Sequence, residues 1–363
     1  MNTQDTSPPS QNDPTSERGL NQFIARFCDW ASKGHIPRRS QAKLSQALRK
    51  AVHDILPAYD GWRDIWLRPL SDTAKLSFQF DSDDIWAYPG LNGNLIVGVV
   101  TPSWRRRWKT ASRDEYICDL IDSFFHFASQ YVARSRIASV IGAVALTYGN
   151  ASDFRSEGID TIPVCGDIAE AKRHSMSHGR FPIRCDPRAS GQGRTRELLM
   201  WIRELNGLDP YIHRAIYQFW KATALCKGEF WEEAIGAFDS VNEVADQFVK
   251  DLLRLSEDPR DKGDRLQEHL GISKEDGNAV KRLYLLRCDF SAHPARSKWW
   301  DFQEIYDDDI DALREVAKRV LWHLSQAEKA HRKVEPYPRA WSDWFLRNSS
   351  MLLDAVWFDR LRG

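Results

Sequence analysis

The chain has 363 residues, of which 42% are hydrophobic and 28% are charged, as in ordinary globular proteins. Its 51 basic and 51 acidic residues cancel, which excludes attraction to nucleic acid or membranes through overall charge alone. The six cysteines form no CxxC pair, a pattern that favours a reducing compartment over a disulfide scaffold. No apolar run reaches the ~18 residues of a membrane span, and the N-terminus lacks a signal peptide's apolar core. We therefore expect a cytoplasmic protein with no membrane segment.

The first half of the chain predicts an α+β domain. Residues 1–19 are polar and contain prolines, which is typical of disorder. Helical, strand-like and again helical patterns follow over residues 20–56, 62–101 and 114–134. Residues 137–186 mix small apolar segments with turns and give no clear assignment. We interpret residues 20–186 as one domain that senses a signal or recruits an unknown protein partner.

The second half predicts an all-α bundle over residues 195–330, after a linker at 187–194. Pro210 is suited to the first turn of a helix, and Ser273 with Asp276 resembles a capping box. The expected helices cover residues 195–206, 210–228, 231–252 and 273–290, followed by one that starts within 307–310. The tail at 331–363 is amphipathic, and either docks onto the bundle or forms a dimer contact.

The helix that ends near residue 290 carries an arginine in its apolar arc. At about 100° per residue, Arg287 lies between Leu283 and Val280, away from the polar face. A guanidinium on an apolar stripe is costly to desolvate, so Arg287 needs partners or opens onto a pocket or subunit interface.

A histidine follows this arginine at the end of the same helix. Pro294 disfavours helical geometry at His293, which frees the imidazole to turn back toward Arg287. The C-terminus of the helix also favours a protonated imidazole. An arginine beside a histidine is suited to phosphodiester chemistry.

The segment from Leu283 to Pro294 resembles the Arg-x(4–6)-His signature of HEPN domains, especially the Apea-like branch. The resemblance covers the helices of residues 195–330. It implies a metal-independent endoribonuclease, in which Arg287 and His293 act at the cleft of a homodimer and leave cyclic phosphate ends. Bacterial defence or a toxin-like role would fit the family.

Two further residues gain a role from the resemblance. Family members often support the arginine with an acid from the preceding long helix, and Glu243 is the candidate here. Asp289 lies near a position where some members carry a polar residue, although in this chain Cys288 directly follows Arg287.

A basic cluster with two aromatic residues offers a second nucleic-acid candidate. It consists of Trp104, Arg105, Arg106, Arg107, Trp108 and Lys109. Such a cluster can neutralise phosphates and stack bases. We favour a solvated loop anchored by its tryptophans.

A third pattern has the residue types of a zinc site. Cys165, His174, His178 and Cys185 supply two thiols and two imidazoles, and the histidines share a helix face. Helical histidine pairs are more often surface residues, so we expect no cofactor. The acidic run at 307–309 predicts a helix cap, and residues 190–193 predict a linker rather than a phosphate loop.

Three functions thus remain open. The first is an HEPN ribonuclease that acts on RNA as a homodimer. The alternative is a non-catalytic HEPN module that binds a nucleotide, RNA or a protein partner. The second alternative is a zinc-stabilised interaction protein.

Overall fold

The computed structural model describes the chain in several ranges, and the observations below concern these alone. The ranges are residues 17–33, 37–55, 62–70, 80–81, 85–89, 95–102, 112–149, 160–165, 192–205, 210–253, 260–288 and 307–332. The described residues are mostly helical, and their strands all lie in the N-terminal half of the chain.

Two short helices open the described chain. Helix α1 spans Glu17–Ser32 and α2 spans Gln41–Lys50, which continues into a single turn of π-helix at Ala51–Ile55. The start of α1 falls inside the segment predicted to be disordered, because its apolar stripe is buried against other helices. Phe27, for example, meets Phe124 edge to face with ring centroids 5.0 Å apart.

Five strands form one antiparallel sheet in the order β2-β3-β4-β1-β5. The strands are β1 (Trp62–Leu70), β2 (Phe80–Asp81), β3 (Ile85–Pro89), β4 (Leu95–Pro102) and β5 (Asp160–Cys165). Trp66 on β1 pairs with Val99 on β4, and its indole Nε1 donates to Thr101 Oγ1 at 2.7 Å. Gly98 gives room to the ring of Trp86, since a Cβ there would lie 2.1 Å from that ring.

Helix α3 spans Glu115–Tyr148 and is longer than the helix predicted over residues 114–134. Its start is capped by Asp114, whose side chain accepts from the backbone N–H of Ile117. Residues 137–148 are apolar on every face because the helix is buried all round there, so they show no helical periodicity. Arg136 is also buried, and its Nη1 donates to the carbonyl of Val100 on β4 at 2.9 Å.

Six further helices form the C-terminal half of the described chain. They are α4 (Gln192–Glu204), α5 (Pro210–Lys227), α6 (Trp231–Leu253), α7 (Lys262–Arg265), α8 (Lys274–Arg287) and α9 (Asp307–Arg332). Helix α4 begins at Gln192, within the predicted linker. Helix α7 and the π-helical turn that follows it at Leu266–Leu270 were not predicted. The predicted starts of α5 at Pro210 and of α8 after Ser273 are confirmed.

The core is continuous from the sheet into this bundle. One hydrophobic cluster contains Trp66 and Val97 of the sheet, Ile141 of α3, and Phe219 and Phe238 of α5 and α6. The first half of α3 instead packs against α1 and α2 in a second cluster. Helix α3 therefore links the two clusters, and it supports the bundle in which Arg287 lies.

Candidate functional site

Helix α6 presents a charged stripe toward α7 and α8. Asp239, Glu243, Asp246 and Lys250 are spaced by four, three and four residues, so they share one face. The opposite face of α6 is apolar and anchors the helix in the core. Asp239 is fully buried and Asp246 is 5% exposed, which means that both carboxylates need cationic partners.

Cations from α6 and α7 satisfy these acids. Lys262 Nζ lies 2.5 Å from Asp239 Oδ1. Arg265 binds Asp246 in a fork, with Nε 2.7 Å from Oδ1 and Nη2 2.9 Å from Oδ2, and Lys250 contacts the same acid at 2.7 Å. Burial acts to raise the pKa of Asp246, but the hydrogen bonds from Arg265 and Lys250 outweigh it and hold that pKa below its ordinary value.

A close approach of backbones sets the position of α7 against α8. A Cβ on Gly263 would lie 2.3 Å from the carbonyl oxygen of Gly277, a distance that a larger residue cannot adopt without shifting the helices. Helix α8 is also fixed at its start, where Ser273 Oγ accepts from the N–H of Asp276. Arg319 on α9 holds Asp276 through Nη2 at 2.7 Å.

Arg287 is the last residue of α8, and α6 holds it through one nitrogen of its guanidinium. Its Nη1 donates to Asp239 Oδ2 at 3.0 Å and also to Glu243 Oε1. Its Nη2 and Nε have no partner among the described residues, and 32% of the side chain is exposed. Partial burial acts to lower the pKa of Arg287, but the bonds to Asp239 and Glu243 prevail and raise it, so the group stays charged.

A tyrosine lies one turn before Arg287. Tyr284 is 48% exposed, and its ring lies against the ammonium of Lys262 rather than in the core. Lys262 Nζ is 5.1 Å from the ring centroid, within the range of a cation–π contact. A hydrogen bond with the Cys288 thiol raises the pKa of the Tyr284 hydroxyl above its ordinary value.

A cavity of about 990 Å³ opens beside these ion pairs, between α5, α6, α7 and α8. Its lining includes Glu243, the partner of Arg287, and Lys262, the partner of Asp239. Small-molecule sites have volumes of roughly 300–1,000 Å³, and this cavity lies at the upper end of that range. The cavity can thus admit a ligand of nucleotide size next to the arginine.

The structure brings together two of the residues expected at the site, Arg287 and Glu243. His293 and Asp289 lie outside the described residues, so their relation to Arg287 stays a prediction. Asp239 and Lys262 were missed by the sequence reasoning. Asp239 could have been found, because it lies one helical turn before Glu243 and so shares its face.

The other candidates fall largely beyond the described ranges. The basic cluster Trp104, Arg105, Arg106, Arg107, Trp108 and Lys109 lies outside them, as do His174, His178 and Cys185. Cys165 ends β5. Within the described ranges, no group of three or more His, Cys, Asp or Glu side chains could hold a metal ion. Helix α9 begins at Asp307, so the acidic run at 307–309 lies in its first turn.

No family model matches this sequence, and neither a curated protein nor a solved structure matches it. Among the described helices, none is both long and apolar enough to cross a lipid bilayer.

Proposed function

We propose that this chain is a cytoplasmic, metal-independent endoribonuclease of HEPN type, with Arg287 and His293 as its catalytic residues. The observation that carries the proposal is the way Arg287 is held. Two carboxylates engage its Nη1, while Nη2 and Nε, which carry three N–H donors, have no partner within the described part of the chain. An arginine that two carboxylates hold through one nitrogen, and whose side chain is one-third exposed, has further donors with which it can bind a phosphate.

The chemistry follows from these two groups. The imidazole of His293 takes the proton from a ribose 2′-hydroxyl, whose oxygen attacks the adjacent phosphorus. The bond to the 5′-oxygen of the next nucleotide breaks, and the protonated imidazole returns its proton to that oxygen. The products are a 2′,3′-cyclic phosphate and a 5′-hydroxyl. Arg287 donates through Nη2 and Nε to the phosphoryl oxygens, where negative charge develops.

Glu243 and Asp239 act as positioning residues in this mechanism. They balance the charge of Arg287 and orient its guanidinium, as the acid expected from the HEPN resemblance would do. We further propose that a second copy of the chain completes the site in a homodimer, and that the N-terminal half senses a trigger or recruits a partner in a defence or toxin-like setting.

The direct test is RNA cleavage in the presence of a chelator. Purified protein is mixed with an unstructured RNA, alongside Arg287→Ala and His293→Ala. Arg203→Ala serves as a matched control, because Arg203 is an exposed arginine on α4 outside the cavity lining. Cleavage by the parent and by Arg203→Ala, but by neither site variant, is the expected result. No cleavage by any protein, or equal cleavage by all of them, contradicts the proposal.

A non-catalytic binding module is the second candidate, and the ion pairs themselves favour it. Asp239 is fully buried and binds both Arg287 and Lys262, so the network can serve to join α6, α7 and α8 without chemistry. In that case Arg287→Ala lowers the stability of the fold, and the parent binds RNA or a nucleotide without cleaving it.

A further inference from the structure

The cavity beside Arg287 has a wall of mixed charge with a positive excess. Five of its sixteen lining residues are cations, and three are carboxylates. The cations are Arg214, Lys250, Lys262, Arg265 and Lys281. Arg214 on α5 is exposed and makes no ion pair or hydrogen bond with a described residue. The other four lining cations each contact a carboxylate, so Arg214 is the charge best able to take up an external anion.

The same cavity carries an exposed aromatic ring. Tyr284 lines it and is 48% exposed. Since Lys262 lies over this ring, the tyrosine is held in place, and its exposed area can stack on a flat apolar group. A phosphate-binding arginine with a stacking tyrosine is the combination by which proteins hold unpaired nucleotides.

The cavity leads to the arginine of the proposed active site. Glu243 lines the cavity and also contacts Arg287. Tyr284 lies one turn before Arg287 on the same helix. Arg287 is not itself part of the cavity wall, so a strand held in the cavity reaches this guanidinium past Glu243.

We propose that this cavity holds one or two nucleotides of a single-stranded RNA, adjacent to the phosphate that is cleaved. Arg214 binds a backbone phosphate, and Tyr284 stacks on a base. The strand is unpaired because a base in a duplex does not expose its face to a side chain. The identity of the ligand as RNA rests on the proposed ribonuclease function, whereas the location of the site does not.

Binding is tested apart from cleavage in His293→Ala protein, which keeps the cavity residues. A fluorescein-labelled, unstructured ten-nucleotide RNA is titrated in chelator and followed by anisotropy. Arg214→Ala and Tyr284→Leu are made in this background. Their matched controls are Arg203→Ala and Tyr116→Leu, since Tyr116 on α3 is 52% exposed and lies outside the cavity lining. Thermal melts establish that all variants are folded.

We expect Arg214→Ala and Tyr284→Leu each to weaken binding by about five- to a hundredfold, the effect of one phosphate contact or one stacked base. The controls stay within about twofold of the parent. Arg214→Ala also makes the plot of log affinity against log salt less steep, reducing the magnitude of its slope by about 0.7, the value for one phosphate on a single strand.

Several results overturn the proposal. They are equal binding by all variants, no binding by the parent, equal binding of a hairpin of the same composition, and full competition by AMP at the affinity of the ten-mer. The ribonuclease proposal fails separately. Binding that depends on Arg214 and Tyr284, without cleavage by protein that retains His293, supports the cavity and rejects the chemistry. RNA cleavage by protein whose RNA binding is unchanged by Arg214→Ala and Tyr284→Leu supports the ribonuclease and rejects the cavity as the RNA site.

Discussion

Replacing Arg287 by lysine separates the ion pairs that the residue makes inside the protein from the contacts that it would make with phosphate. The side chain of Arg287→Lys is one bond shorter, so its ammonium lies near the position of Cζ and stays within ion-pair reach of Asp239 and Glu243. It cannot reproduce the N–H groups of Nη2 and Nε, because lysine presents one nitrogen rather than a planar fork.

The two effects differ in size. The site keeps its charge balance and the side chain of Arg287 is one-third exposed, so the free energy of unfolding should change by less than about 1 kcal/mol. The loss of an oriented donor to a developing oxyanion lowers a rate by about 10²- to 10³-fold. We therefore expect a stable protein that is almost inactive on RNA.

Urea unfolding and the initial rate of cleavage of an unstructured RNA measure the two quantities on the same preparation. Arg203→Lys is the control, since it makes the same change on the exposed side of α4. If Arg287→Lys cleaves RNA at the rate of the parent, Nη2 and Nε of Arg287 have no part in catalysis. If the variant is inactive only because it unfolds, the separation of the two roles is wrong.

Three other substitutions test the ion pairs and the helix contact around Arg287. Asp239→Asn removes the buried countercharge of Lys262 and Arg287 and should lower the free energy of unfolding by about 3 kcal/mol in urea titrations; a change below about 1 kcal/mol would contradict this. The pKa of Asp246 is lowered by folding, so its ion pairs stabilise the protein above about pH 4 and this contribution is lost as the pH falls through the folded pKa. The gap in unfolding free energy between the parent and Asp246→Asn should accordingly shrink on acidification, and a constant gap would refute the assignment. Gly263→Ala places a methyl group against the Gly277 carbonyl and should cost about 1–3 kcal/mol of stability, whereas an unchanged urea midpoint would show that the close approach is absent.

The helical half of the fold was largely predictable because its ends carry local signals. Pro210 and Ser273 mark the starts of α5 and α8, and the apolar stripes between such signals have helical spacing. The second half of α3 was not predictable in this way. Its residues are buried on all sides, so the contrast between apolar and polar faces is missing.

The site was predictable only in part, for a different reason. The apolar surroundings of Arg287 indicate that it needs partners, since an unpaired buried guanidinium is costly. The HEPN resemblance names Glu243 as one such acid, and Glu243 does contact Arg287. The sequence does not reveal the second, because Asp239 lies 48 residues away and the two meet only through packing. Lys262 was missed since α7 is a short polar turn without periodicity.

The ends of the RNA fragments test the central claim most directly. An unstructured RNA is digested by the parent protein in chelator, and the fragments are weighed by mass spectrometry. We expect upstream fragments that end in a 2′,3′-cyclic phosphate and downstream fragments that begin with a 5′-hydroxyl. Fragments with 3′-hydroxyl and 5′-phosphate ends, or cleavage that starts only when a divalent metal is added, would contradict catalysis by Arg287 and His293.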